Sequence, residues 1–338
     1  MIAMPKLFTD NKVNPNVFQA AIARFFKRTW ASNGASKRAE QPPQRRKILF
    51  ESLEPRLLLS ADFMPAAPLG SLIHQSSQSG NLTVDSVAEY TFSLDAGQKI
   101  SVLFDTEDAD LQGHFELYDV SGGGETLVTA ASAANPGEMA TLDSFYLDTP
   151  RDYRLDVRNL NTAGDGGAFN LDMFLNATLE SEALGGAGNN DIGGAQDLAP
   201  SEIALPGGGL RYAAVGLTQA GEADYYQLEL VADQMLNLGL AAMTPGAGNA
   251  LRLELLDAAG NLIALGDAAA SNFDQMINGY KVTAGGTYLL KVTGNGGEDY
   301  SLVAVKQAQL EREGNNFGWH HWLFRLHLFF RHHAFRLF

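Results

Sequence analysis

The 338 residues include no cysteine, which excludes a disulfide-stapled fold, a thiolate zinc centre and a thiol nucleophile. Histidine is almost as scarce: between residues 61 and 305 only His74 and His114 occur, and neither sits in a nucleophile-elbow or zinc-helix pattern. No run approaches the ~20 apolar residues that cross a bilayer, so no transmembrane segment is expected, and the start lacks the ~7–15-residue apolar core of a secretory signal. Basic charge is missing from the middle. Residues 61–305 carry 8 Lys+Arg against 33 Asp+Glu, a net of −25, whereas residues 1–60 carry 11 against 4 and residues 306–338 carry 5 against 2. So acidic a middle repels a phosphate backbone, and no nucleic-acid partner is expected. No glycine loop that leads into a helix offers a phosphate cradle, and carboxylates are too evenly spread to single out a glycosidase dyad. The expectation is a protein that is not an enzyme.

What is present is turn chemistry and alternation. The chain has 35 glycines, and from residue 70 to 305 short runs alternate apolar and polar residues between turn signals. Tyr90-Thr91-Phe92-Ser93-Leu94 and Tyr153-Arg154-Leu155-Asp156-Val157 are examples. Period-two runs at this spacing predict antiparallel strands with one face in a core. They also recur in order. Tyr90, Phe115, Tyr153 and Phe169 answer to Tyr226, Leu253, Tyr288 and Tyr300, with steps of 25, 38 and 16 residues in the first copy and 27, 35 and 12 in the second. Repetition at this period predicts two tandem, jelly-roll-like β-sandwich domains, at residues 70–177 and 199–306, joined by a linker at 178–198. The fold class is therefore all-β.

The flanks differ from this pattern. Residues 1–44 read as a basic, mostly disordered arm with a short amphipathic helix over Val17–Trp30. Residues 45–64 contain a dibasic lead, Phe50-Glu51, Leu53-Glu54-Pro55-Arg56 and Leu58-Leu59-Ser60-Ala61-Asp62. This segment resembles the LEPR-XLL element near the N-terminus of very large bacterial extracellular proteins. The resemblance implies an extracellular or cell-surface location and further domains in the intact protein. At the other end, Leu310-Glu311-Arg312-Glu313-Gly314-Asn315-Asn316 echoes the lead-in to the second sandwich. The last 20 residues, however, are 12 apolar, 5 His and 3 Arg. Residues 307–338 are read as a truncated third repeat whose frame slips near Gly318.

The second copy carries the phrases Asn190-Asp191-Ile192, Asp224-Tyr225-Tyr226, Leu253-Glu254-Leu255-Leu256-Asp257-Ala258-Ala259-Gly260 and Gly286-Thr287-Tyr288-Leu289-Leu290-Lys291-Val292. They resemble the bacterial pre-peptidase C-terminal domain, a sandwich appended to secreted peptidases and surface proteins. The first copy departs from these phrases and is the more divergent.

Calcium, which takes six to eight oxygen ligands, suits an acidic, loop-rich β-protein. The family's calcium-binding members fold linker carboxylates back onto the sandwich. By that resemblance Glu180, Glu182, Asn190 and Asp191, with Asp224 at the next strand, are the candidate ligands. Asp224 is set against Glu89, so that both copies are expected to keep a carboxylate. Asp108-x-Asp110-x-Gln112-Gly113 imitates an EF-hand loop but is rejected, because residues 115–118 read as strand. Gly185–Gly193 is one near-copy of a β-roll nonapeptide, and a lone copy cannot close an ion site.

Tyr212, Tyr225, Tyr280 and Tyr288 form a possible ligand platform. Tyr226, Tyr288 and Tyr300 repeat first-copy aromatics and are expected in the core, which leaves Tyr225 as the outward-facing ligand-binding candidate. The functional expectation is a structural spacer or adhesion module, rigidified by calcium, whose partner would be a matrix or cell-surface polymer. The alternatives are an accessory domain of a secreted peptidase and a collagen- or glycan-binding module.

Overall fold

The computed structural model describes residues 57–310, except 107, 185, 245–249 and 269–271. The amphipathic segment, the dibasic lead of the 45–64 segment and the histidine-rich tail lie outside the described residues. Among those described, strands and three short 3-10 turns make up the regular structure, with no α-helix.

The strands, in chain order, begin with β1 (Leu57–Ser60), β2 (Met64–Pro65), β3 (His74–Leu82), β4 (Val87–Leu94) and β5 (Lys99–Thr106). They continue as β6 (Gly113–Asp119), β7 (Thr126–Ser132), β8 (Ala140–Tyr146), β9 (Arg151–Asn159) and β10 (Gly167–Leu175). After these come β11 (Thr178–Leu179), β12 (Gln196–Asp197), β13 (Ile203–Ala204), β14 (Leu210–Leu217), β15 (Ala223–Leu230) and β16 (Met235–Ala242). The last five are β17 (Arg252–Asp257), β18 (Leu262–Leu265), β19 (Gln275–Lys281), β20 (Gly286–Thr293) and β21 (Asp299–Lys306).

Four sheets result. The first sandwich stacks β1-β4-β9-β6-β7 on β2-β3-β10-β5-β8, and the second stacks β12-β15-β20-β17-β18 on β11-β14-β21-β16-β19. Strand order is the same in both once β13, which pairs antiparallel with β14 as β2 does with β3, is set against β2; β11 is an added strand, parallel to β14. Alternation builds each core. Tyr90, Phe92 and Leu94 of β4 point inward while Ser93 is exposed, and Tyr226, Leu228 and Leu230 repeat this on β15. Tyr90, Tyr153, Phe169, Tyr226, Tyr288 and Tyr300 are all buried, as expected for recurring anchors.

Residues 57–60, read from the sequence as part of the LEPR-XLL-like segment, have a structural role as well. They form β1 and pair in parallel with β4, Leu59 opposite Tyr90. In the second sandwich β12 pairs with β15 in the same way, Gln196 opposite Tyr226.

A third core joins the sandwiches. Leu103 of β5 and Phe174 of β10 pack with Ala213 and Val215 of β14 and Val303 and Val305 of β21. The outer face of one sheet of each copy therefore lies against the other. This explains why β21 is buried along its whole length and why its Leu302-Val303-Ala304-Val305 run is apolar without alternation. Polar links cross the seam: Ser301 Oγ donates to the Ala67 carbonyl at 2.6 Å, and Arg211 Nη1 donates to the Asn176 carbonyl.

Candidate metal centre

The linker returns onto the second sandwich through β11. Thr178 and Leu179 pair in parallel with Ala214 and Val215, and the Glu180 amide donates to the Val215 carbonyl at 2.9 Å. This drives the Glu180 side chain inward, where it is 1 % exposed. Its Oε2 accepts from the Leu217 amide at 2.9 Å. The approach depends on Gly216, since a Cβ there would lie 2.7 Å from Glu180 Oε2 and 2.6 Å from the Tyr300 hydroxyl.

Asp224 meets Glu180 from β15. It occupies the inward-facing parity of that strand, two residues before Tyr226, and is 2 % exposed. Both acids approach the Tyr300 hydroxyl, which donates to Asp224 Oδ2 at 2.6 Å. Burial, and secondarily the neighbouring Asp224, holds Glu180 well above the usual carboxylate range. Burial likewise pushes Asp224 up to about 6, with Glu182 and Glu222 adding to the rise and the Tyr300 hydrogen bond opposing it. Two acids this deep cannot both ionise without a compensating positive charge.

The rim is polar. Asn190 Nδ2 lies 3.2 Å from both Glu182 Oε1 and Glu222 Oε2, and Gln219 Nε2 donates to Glu182 Oε1 at 3.2 Å. Asn189 is fully buried, with its carbonyl accepting from the Tyr225 amide at 2.8 Å. Glu180 Oε1, Glu182 Oε2 and Asn189 Oδ1 are shielded from solvent yet accept no hydrogen bond. Orphaned oxygens of this kind are costly to bury. Together with the surrounding carboxylates they make an all-oxygen donor set of the type a hard cation takes. Among the described residues no three acidic or histidine side chains already converge at metal-ligand spacing.

Of the five residues chosen from the sequence, Glu180 and Asp224 both approach the Tyr300 hydroxyl, and Asn190 lies beside Glu182. Asp191 serves elsewhere, because its Oδ1 caps a 3-10 turn by accepting from the Gly194 amide at 2.9 Å. Asn189, fully buried, and Glu222, beside Asn190, were not singled out from the sequence. Glu222 precedes Asp224 by two residues, a spacing that places both on one side of an extended chain. The matching of Asp224 with Glu89 fails. Tyr90 stands where Tyr226 does, so Ala88 holds the place of Asp224 and Glu89 that of Tyr225, on the outer face. A register slip of one residue reverses the face, and the first sandwich therefore lacks this inward acid.

The tyrosine platform also changes. Tyr212 and Tyr288 are buried, and Tyr280 packs edge-on against Tyr288 at 6.2 Å. Tyr225 is half-buried on the outward parity of β15. A separate open cleft of about 610 Å³ lies at one end of the first sandwich, lined in part by Asp62, Phe92, Asp95, Asp152 and Tyr153. None of the sequence-selected residues lines it.

No protein-family model and no curated protein matches the chain. Solved structures similar to it include a periplasmic lysozyme inhibitor of g-type lysozyme, PliG, from Aeromonas hydrophila. That match has 15 % identity and a TM-score of 0.27, covering 36 % of this chain and 96 % of the inhibitor. The pre-peptidase C-terminal domain of collagenase from Bacillus anthracis is similar at 14 % identity, TM-score 0.26, over 36 % of this chain and 98 % of that domain. Tandem CBM51 modules of a family 98 glycoside hydrolase from Streptococcus pneumoniae are similar at 11 % identity, TM-score 0.21, over 69 % and 84 % of the respective chains. Among the described residues no helix is long and apolar enough to cross a membrane.

Proposed function

We propose that this chain is a non-catalytic module of an exported bacterial protein, a spacer or adhesion element whose second sandwich is fastened to its linker by calcium. Its kinship with pre-peptidase C-terminal domains rests on the phrases around Asp224 and Gly286, and its extracellular location on the LEPR-XLL-like segment at 45–64.

The observation that carries the calcium assignment is the meeting of Glu180, from the linker, with Asp224, from the sandwich. Both are buried, and Glu180 Oε1 is left without a donor. Glu180, Asp224, Glu182, Glu222 and the side-chain carbonyl of Asn189 would hold the ion, with Asn190 positioning the Glu182 and Glu222 carboxylates. Calcium would supply the positive charge that lets both buried acids ionise. The linker would then be bound to the sandwich by charge as well as by the two residue pairs of β11.

The test is calorimetric titration of the full chain with calcium, paired with thermal unfolding. Heat and a rise in Tm are expected at or below millimolar calcium, both lost in E180Q and D224N. No heat and no shift in the unsubstituted protein would show the assignment to be wrong.

A further inference from the structure

At one end of the seam between the sandwiches, two acids are buried, one from each copy. Asp172 of β10 and Asp299 of β21 are 3 % and 7 % exposed, on the strand faces that carry Phe174 and Val303 into the shared core. Asp105 comes alongside from β5, itself 5 % exposed, and Ser77 of β3 stands opposite Asp172 in the sheet. On the other side, β21 contributes Ser301, whose hydroxyl is taken by the Ala67 carbonyl, and the Met243 amide, past the end of β16, binds the Asp299 carbonyl rather than its side chain. Asp299 Oδ2 has no hydrogen-bond partner, and no ion pair involves Asp172 or Asp299 among the described residues.

The basic groups of the seam stand at its far end. Arg211 is opposite Val305 in the sheet, and Lys306 follows. Val305 is six residues along β21 from Asp299, roughly 20 Å at ~3.3 Å per residue. Arg211 thus cannot neutralise the acids.

We propose that Asp172 and Asp299 form a proton-dependent clasp that holds the two sandwiches face to face in mildly acidic surroundings and lets this end of the seam part as the surroundings turn alkaline. Each carboxyl comes from a different sandwich, so closing the seam forces two acids out of water together. Protonated, they are small polar groups able to donate hydrogen bonds. Ionised, they repel each other with no cation between them.

The direction of titration agrees. Burial, followed by Asp105 for Asp172 and by Asp172 for Asp299, raises the two carboxyls to about 7 and about 8. An exposed aspartate titrates near ~4. The closed seam therefore holds its protons more tightly than the parted one. Its advantage is complete below about pH 4, falls as pH rises, and levels off above about 8. Calcium uptake at Glu180 and Asp224 should strengthen over the same interval, so the two responses run in opposite directions.

The experiment is amide hydrogen exchange of the full chain in saturating calcium between pH 5 and 9, corrected for intrinsic exchange and read at β10 and β21. Exchange should rise by at least tenfold between pH 5 and 8 in the unsubstituted protein and stay flat in D172N/D299N. If the double variant does not fold, D172N or D299N alone should roughly halve the logarithmic slope, since each removes one of two protons. E180Q should keep the full slope, which separates the clasp from the calcium junction. An equal slope in the unsubstituted and Asn-substituted proteins, or exchange that slows toward pH 8, would overturn the clasp.

Discussion

The Tyr300 hydroxyl donates to Asp224 Oδ2 at 2.6 Å and at the same time stands 2.7 Å from the Tyr226 hydroxyl. One core tyrosine therefore fixes an acid of the candidate centre, and the hydrophobic core and that centre share a hydrogen bond. Perturbing the linker junction should be felt in the stability of the second sandwich.

Gly216 offers a sharp test of that sharing. Gly216→Ala places a methyl within 2.6 Å of the Tyr300 hydroxyl and 2.7 Å of Glu180 Oε2, and neither neighbour is a loose side-chain end. Overpacking of this kind costs about 1–3 kcal/mol. Urea unfolding should show that loss, and the calcium-dependent rise in Tm should shrink with it. A variant as stable as the parent, with the same calcium response, contradicts the geometry.

The pH dependence of calcium stabilisation follows from the raised acids. Glu180 and Asp224 titrate above their unfolded values, Asp224 near 6. Without calcium, the proton they retain stabilises the fold below about pH 4, and this stabilisation is lost as pH rises through about 6. Calcium requires the ionised forms and competes with that proton. The Tm difference between calcium and chelator should consequently be small at pH 5 and several-fold larger at pH 8. Equal differences at the two pH values would rule out proton competition.

Arg211 leads to a prediction of the opposite sign. It is 1 % exposed, and of its donors Nη1 reaches the Asn176 carbonyl while Nε and Nη2 find no acceptor. Burial pushes its guanidinium down to about 9. Because a buried charge without a partner is expensive, Arg211→Met should be neutral or stabilising by about 1 kcal/mol or more. Chemical denaturation measures this. A loss above about 3 kcal/mol would mean that the guanidinium has an anionic partner in solution.

The strands and the repeat were legible because period-two alternation survives in both copies, from Tyr90-Thr91-Phe92 to Tyr226-Gln227-Leu228. The seam was not. Its first-sandwich face carries Ser101, Asp105 and Asp172 beside Leu103 and Phe174, a mixture that reads as a solvated sheet surface. Only the second-copy run Leu302–Val305 hinted that a further layer covers it. At the candidate centre, the resemblance picked out Glu180, Glu182, Asn190 and Asp224. Asp191 was drawn in because an aspartate at the start of a turn looks the same whether it binds a cation or caps backbone amides. Asn189 was passed over for its neighbour, since sequence alone does not say which of two adjacent asparagines faces inward. The Leu57–Ser60 run shows the converse, because a run read as part of the LEPR-XLL-like segment also supplies a strand.

The seam uses corresponding sheets of the two copies, β2-β3-β10-β5-β8 of one against β11-β14-β21-β16-β19 of the other. A contact between like surfaces is spent once both are covered, unlike a head-to-tail contact, which leaves a fresh surface for the next unit. Any further copy must approach through the outer β1-β4-β9-β6-β7 or β12-β15-β20-β17-β18 sheets or through strand edges. For the two sandwiches described, the shared core leaves little room to hinge, and the linker alone does not set their relation.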